Sequence, residues 1–196
     1  MASKVDIVNT SLALIGAESV IDLGEDNPRA KTMSRLYDDI RREVIAEGEW
    51  SFSIKRATLA KLAAAPVWGF GSAFQVPSDA LRILEAEDQS VEWQREADQI
   101  VTDQSAMKVR YVADIDDPNK YTPGFLISFA YRLASAGAYP LTNSATLAKS
   151  LYDAYTVLVS SQRSVDSMQG TAKKFESTEI INARFGTNIR DFSGTT

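Results

Sequence analysis

A chain of 196 residues, 44% hydrophobic and 24% charged, can bury a core and fits one domain or one domain with an insert. It has neither cysteine nor histidine, which excludes Cys/His triads, zinc fingers, thiol redox centres and His-based metal sites, and leaves carboxylates, Ser, Lys or Tyr for any acid–base chemistry. A formal net charge of −5 speaks against a general duplex-binding surface.

The first helix is predicted over residues 3–16. Ser3 with Asp6 forms a capping-box pattern, Val5, Val8, Leu12 and Ile15 make an apolar stripe, and Gly16 suits the C-terminal end. Asp6 and Asn9 interrupt any secretory leader pattern, and no apolar run approaches the roughly 18–20 residues of a membrane span. The expectation is a soluble protein with no address of its own, and the absence of cysteine agrees with cytosolic synthesis. Residues 20–23 are short, apolar and extended in this reading. The second helix starts at Asn27-Pro28, an N-cap followed by a first-turn proline. Met33, Leu36, Ile40 and Val44 form its stripe; Arg35, Asp38, Asp39, Arg41, Arg42 and Glu43 form its outer face; Gly48 stops it.

Trp50, Phe52 and Ile54 then alternate with Ser51, Ser53 and Lys55, a strand-like spacing. Residues 57–65 are alanine-rich and helix-favouring but are closed by Pro66, and residues 67–72 read as an aromatic loop around Trp68 and Phe70. Short strands follow at residues 74–76, 81–86, 91–95, 99–102 and 107–112, evenly spaced as in an antiparallel meander. After the turn cluster Asp116-Asp117-Pro118-Asn119, Thr122-Pro123 opens a third helix over 123–138 with Phe125, Phe129, Leu133 and Ala136 inward, which Tyr139-Pro140 breaks. A fourth helix starts near Asn143 or Ser144 and reaches residue 169, about 40 Å at roughly 1.5 Å per residue; Leu147, Leu151, Ala154, Leu158 and Val165 face its core. Residues 171–196 carry Phe175, Ile180, Ile181, Phe185, Ile189 and Phe192 without a sustained stripe, and read as a flexible arm that orders on a partner. The expected fold class is α+β: a mainly helical bundle (residues 1–48 with 122–170), an inserted antiparallel β-meander (49–121) and the C-terminal arm (171–196).

Several of these stretches, in this order, resemble the tail tubular protein A, or head-to-tail adaptor, family of tailed bacteriophages. They are the Val-Asn helix ending at Ile15-Gly16-Ala17; the second helix running into Trp50-Ser51-Phe52, Lys55-Arg56 and Leu59-Ala60; Pro77-Ser78-Asp79 before a strand; Tyr111-Val112 closing another; Asp117-Pro118 and an aromatic helix with Leu133-Ala134; and Leu141-Thr142 before the last long helix. The resemblance extends to Gly170 and leaves the arm unmatched. It implies a structural virion protein with no catalytic, cofactor-binding or metal residues. It further implies a ring of typically twelve copies beneath the capsid portal, seating the tail nozzle or other tail proteins. DNA would pass through the lumen without sequence-specific binding, no membrane would be involved, and assembly would take place in the host cytoplasm. An acidic lumen would discourage DNA from sticking.

Each feature also has a plainer reading. Trp50 and Phe52 are either an interface anchor or the packing of a helix-to-sheet junction; Trp68 and Phe70 contact a neighbouring subunit or tail protein, or merely fill a loop. Eight acidic and two basic residues over 79–103 make either a functional negative surface or an ordinary solvated sheet face. Arg35, Arg41 and Arg42 either meet portal carboxylates or form weak exposed pairs, and Arg29 and Lys31 sit at the unfavourable end of the helix dipole. The six apolar residues of the arm are candidates for seating in a groove of the portal or of a neighbouring subunit, against folding back on their own helices. Rival functions are a tail-associated peptidoglycan-degrading enzyme, with Glu47 and Glu49 as the nearest carboxylate pair, and a non-viral protein-binding module. Asp114, Asp116, Asp117 and Asn119 fall short of a calcium loop, lacking its glycine and terminal glutamate.

Overall fold

The computed structural model describes residues 3–167, among which are four helices and six strands in an α+β fold. Helix α1 (Lys4–Leu14) begins with the expected reciprocal cap. The Asp6 amide donates to the Ser3 hydroxyl at 3.1 Å and the Ser3 amide to the Asp6 carboxylate at 2.9 Å. Ile7, Val8, Ser11, Leu12 and Ile15 are its buried residues, with Val5 half-buried, and Gly16 takes the left-handed φ of +73°. Asn9 then clamps Val20 through both backbone groups, at 2.9 and 2.8 Å. Helix α2 (Pro28–Glu47) is capped by Asn27, which accepts from the Ala30 amide at 2.8 Å. Ala30, Met33, Tyr37, Ile40 and Val44 face the core, and so does Arg41. Arg41 belongs to the buried face of α2 and not to the solvated face expected from its charge.

After α2 the strand-like alternation gives way to a 3-10 turn, Ser51–Ser53, closed where the Ser53 amide and hydroxyl both donate to the Trp50 carbonyl at 2.9 Å. Strands β1 (Ile54–Thr58), β2 (Ser72–Gln75), β3 (Ala80–Ala86), β4 (Trp93–Glu96), β5 (Gln99–Thr102) and β6 (Lys108–Ala113) follow. Residues 57–65 thus hold the end of β1 and an irregular stretch in place of a helix. Every pairing is antiparallel, as expected, but the order is not that of a single meander: one sheet runs β1-β6-β3 and the other β2-β5-β4. Of these neighbours, β4 and β5 alone are consecutive in the chain. Ala97 lies in their two-residue turn at φ +53°, a conformation that costs an L-residue what glycine does not spend. Ala97→Gly is expected to raise stability by about 0.5–1 kcal/mol, read as a higher urea midpoint at an unchanged slope.

Helix α3 (Pro123–Thr142) occupies the centre of the bundle, packing on α1, on α2 and most extensively on α4 (Ala145–Ser167). It opens where Thr122 accepts from the Phe125 amide, and it runs through Pro140 instead of breaking there. The proline sits in the last turn, where its missing N–H costs one bond, and Asn143 in left-handed conformation closes the helix by donating to the Tyr139 carbonyl at 2.9 Å. On α4 the buried line is Leu151, Tyr155 and Val159; Leu147, Ala154 and Leu158 are half-buried, and Val165, expected in the core, is exposed.

One hydrophobic core joins helices and sheets. At the junction stand six aromatic rings in edge-to-face or tilted contact: Trp50, Phe52, Tyr121, Phe125, Phe129 and Tyr37, with the centroids of contacting rings 4.7–5.7 Å apart. The Trp50 indole N–H donates to the Val44 carbonyl at 2.9 Å, so its polar edge is satisfied at full burial. Trp50 and Phe52 therefore serve the helix-to-sheet junction.

Candidate functional site

The segment between β1 and β2 is held at its feet and open at its tip. Lys61 bridges to Phe74, the Leu62 amide donates to the Ala73 carbonyl at 2.8 Å, and the Gln75 amide to the Ala60 carbonyl at 2.9 Å. On the far side the Gly71 amide donates to the Asp103 carboxylate at 2.8 Å. At the tip Val67 is 100% exposed and Trp68 87%, beside Gly69 at φ +91°. Phe70 is half-buried. Two large apolar side chains held in water by a pinned loop gain nothing from their own fold; the feature fits contact with another molecule. Of the expected aromatic pair, Trp68 is presented and Phe70 is not, while Val67, overlooked in the sequence, was signalled by its place beside Trp68 in a stretch punctuated by Pro66 and Gly69.

The ionisable residues are largely occupied with one another. Arg41, 2% exposed, donates to the Asp114 carboxylate, to the Ile115 carbonyl at 2.7 Å and to Asp38 at 3.3 Å, and Arg42 adds a bond to Asp114 at 2.9 Å. Burial alone would push the Asp114 carboxyl up; the hydrogen bond and charge of Arg41, reinforced by Arg42, reverse this and hold it below the ordinary carboxylate value. Glu47 accepts from the Tyr155 hydroxyl, whose pKa burial and that carboxylate drive well up, and Glu49 pairs with Arg110 at 3.0 Å. Arg29 reaches Glu18 at 3.0 Å and Lys31 pairs with Asp26, so both first-turn cations of α2 find carboxylates. Arg35 is exposed.

In the acidic stretch over 79–103, Asp79 pairs with Lys55 at 2.7 Å, Glu85 with Arg110 at 3.1 Å and Glu87 with Lys108 at 2.9 Å, while Glu92, Glu96 and Asp98 are exposed. The Glu85 and Glu87 pairs line an open hollow of about 470 Å³ on the first sheet, floored by Ala57, Ala86 and Val109. Asp117 accepts from Asn119, and Asp114 is held by its arginines, so these two side chains are turned to local bonds. Among the described residues no cluster of three acidic residues is placed to hold a metal ion, and no helix is long and apolar enough to cross a membrane.

A second apolar feature lies between α1 and α3, a groove of about 260 Å³ formed by Ile7, Thr10, Pro123, Leu126, Ile127 and Ala130 with Asp6 on its rim. Leu126 and Ile127 fall beside the Phe125–Phe129–Leu133 stripe, so α3 is apolar over more of its circumference than one packed face needs; that excess was visible in the sequence. The arm residues Phe175, Ile180, Ile181, Phe185, Ile189 and Phe192 lie outside the described residues. No protein-family model and no curated protein matches this chain.

Proposed function

We propose that this protein is a non-enzymatic head-to-tail adaptor of a tailed bacteriophage virion. Copies of the chain, twelve in this reading, form a ring that binds the portal on one side and the tail nozzle or another tail protein on the other. DNA passes through the shared lumen without sequence-specific contact. The observation that carries the reading is the pinned loop presenting Val67 and most of Trp68 to solvent, a feature that costs an isolated protein and serves an assembly part. The succession of adaptor-like stretches, from the Val-Asn helix to Leu141-Thr142, supports reading that assembly as a head-to-tail connector. The structural use of Glu47 and Glu49, each tied to a partner on another element, supports a scaffold over a peptidoglycan hydrolase.

The test is native mass spectrometry of the full chain, alone and with its cognate portal. A discrete ring on the portal is the expected result; a chain that stays monomeric in the presence of portal would overturn the proposal. Trp68→Ser is expected to leave stability within about 0.5 kcal/mol of the parent, since the indole touches little of its own fold. The same variant is expected to weaken assembly at least tenfold, a loss of about 1.4 kcal/mol or more, measured by titrating portal against each protein.

A further inference from the structure

We infer that in the free protein the chain beyond α4 covers the groove between α1 and α3 of its own molecule, with the stretch Phe175–Phe185 along it. The groove leaves Ile127 36% exposed and is walled almost wholly by carbon. The end of α4 lies close by. Gln162 packs so tightly on Gly124 that a Cβ there would meet its side chain, and Gly124 follows Pro123, the first wall residue of the groove. Asp166 then accepts from the Ser51 amide and hydroxyl, which fixes where the chain leaves the helix. From Gln162 to Ser167 is about 7.5 Å along α4 at 1.5 Å per residue. Residues 168–175 can span about 26 Å when extended, and the groove from Pro123 to Ala130 runs about 10 Å along α3. Phe175, the first large apolar residue after Met168, thus reaches the groove without strain.

Charge agrees. Residues 168–196 hold four of the 21 basic and three of the 26 acidic residues, so this segment is basic and the rest of the chain more acidic than the whole. Lys173 and Lys174 directly precede Phe175, and Asp6 stands on the groove rim with its carboxyl held below the ordinary value by the Ser3 side-chain and backbone bonds. A tether this short places the segment at a local concentration on the order of millimolar, which favours its own groove over that of a second copy in dilute solution. The inference does not require the adaptor reading, and its test needs no portal.

The absence of native cysteine makes the test direct. Thr10→Cys on the groove rim and Ser177→Cys beyond α4 are introduced into the full chain and spin-labelled, and the distance between the labels is measured by pulsed electron resonance. The expected result is one short, narrow distance population that persists in tenfold excess unlabelled protein. Ile127→Asp, at a half-exposed wall position, and separately Phe175→Asp, outside the described fold, are each expected to abolish it. A broad population in the parent would overturn the inference. So would a narrow one lost on dilution with unlabelled protein, which would assign the groove to the segment of a second copy, or one that survives both aspartate variants.

Discussion

Replacing Asp114 with alanine is expected to cost about 3 kcal/mol of unfolding free energy at neutral pH, the lower end of what breaking a buried pair costs, because Asp114 keeps some contact with solvent. The loss comes from what is left behind. Arg41 would stay 3% exposed at its side chain with the Ile115 carbonyl and the more distant Asp38 for partners. The pair also joins α2 to the chain just after β6, and the Tyr121 hydroxyl donates to the same Ile115 carbonyl at 2.8 Å, so three segments loosen together. Joint replacement, Arg41→Met with Asp114→Leu, is expected to recover most of the loss, since no charge is then buried without a partner. The sign of the pH dependence follows from the depressed carboxyl. Its contribution is complete above the ordinary value of 3.8 and disappears as pH falls through the lower folded value. Urea unfolding at pH 7 and at pH 3 checks both points: the gap between wild type and Asp114→Ala should narrow in acid. A gap that widens in acid would contradict the assignment of Asp114 as the ionised partner.

What could be read from the sequence was local. Ser3 with Asp6, Asn27-Pro28 and Thr122-Pro123 each declare a helix start through atoms no more than three residues apart, and all three do so in the structure. Gly16 declares an end in the same way. The five later strands were legible as short apolar runs between polar turns, but β1 was not, since the alternation at Trp50–Lys55 ends in a 3-10 turn. Partners were not legible either: β1 pairs with β6 across some fifty residues, and nothing in Ile54–Thr58 specifies that. Arg41 shows the same limit. It follows Ile40 on the buried face, yet its charge reads as solvated until a carboxylate 73 residues away is known to meet it. Val165 fails for a geometric reason, since a line through Leu151, Tyr155 and Val159 drifts around α4 and leaves position 165 in water. Pro140 was read as a break, a rule that holds for helix interiors and weakens in a final turn. As for the candidate site, the glycine-flanked loop was visible, but which of its aromatics faces solvent depends on the ladder at its feet, Lys61 with Phe74, and that is a tertiary contact.

Phe125→Ala is expected to be the most damaging single truncation in the chain, at about 3–5 kcal/mol and a fall in Tm of roughly 10–15 °C for a domain of this size. Phe125 has no exposure and its ring touches Trp50 at 5.2 Å, Phe52 at 4.9 Å, Tyr121 at 4.7 Å and Phe129 at 5.7 Å. The cavity would open where the 3-10 turn, α3 and the chain entering α3 meet, and these neighbours cannot collapse inward together because the Val44 carbonyl holds Trp50 by its indole N–H. Part of the effect is specific to ring geometry. A double-mutant cycle of Phe125→Leu with Trp50→Leu is expected to give a coupling of about 0.5–1.5 kcal/mol, the range of an edge-to-face aromatic pair. The variant also reports how the two parts of the fold depend on each other. Since one core includes α1, residues of both sheets and this cluster, Phe125→Ala should still melt in a single transition, at lower temperature, by both far-ultraviolet and near-ultraviolet dichroism. Two separated transitions would mean that residues 49–121 hold a core of their own and that the aromatic junction is a contact between units, not the centre of one.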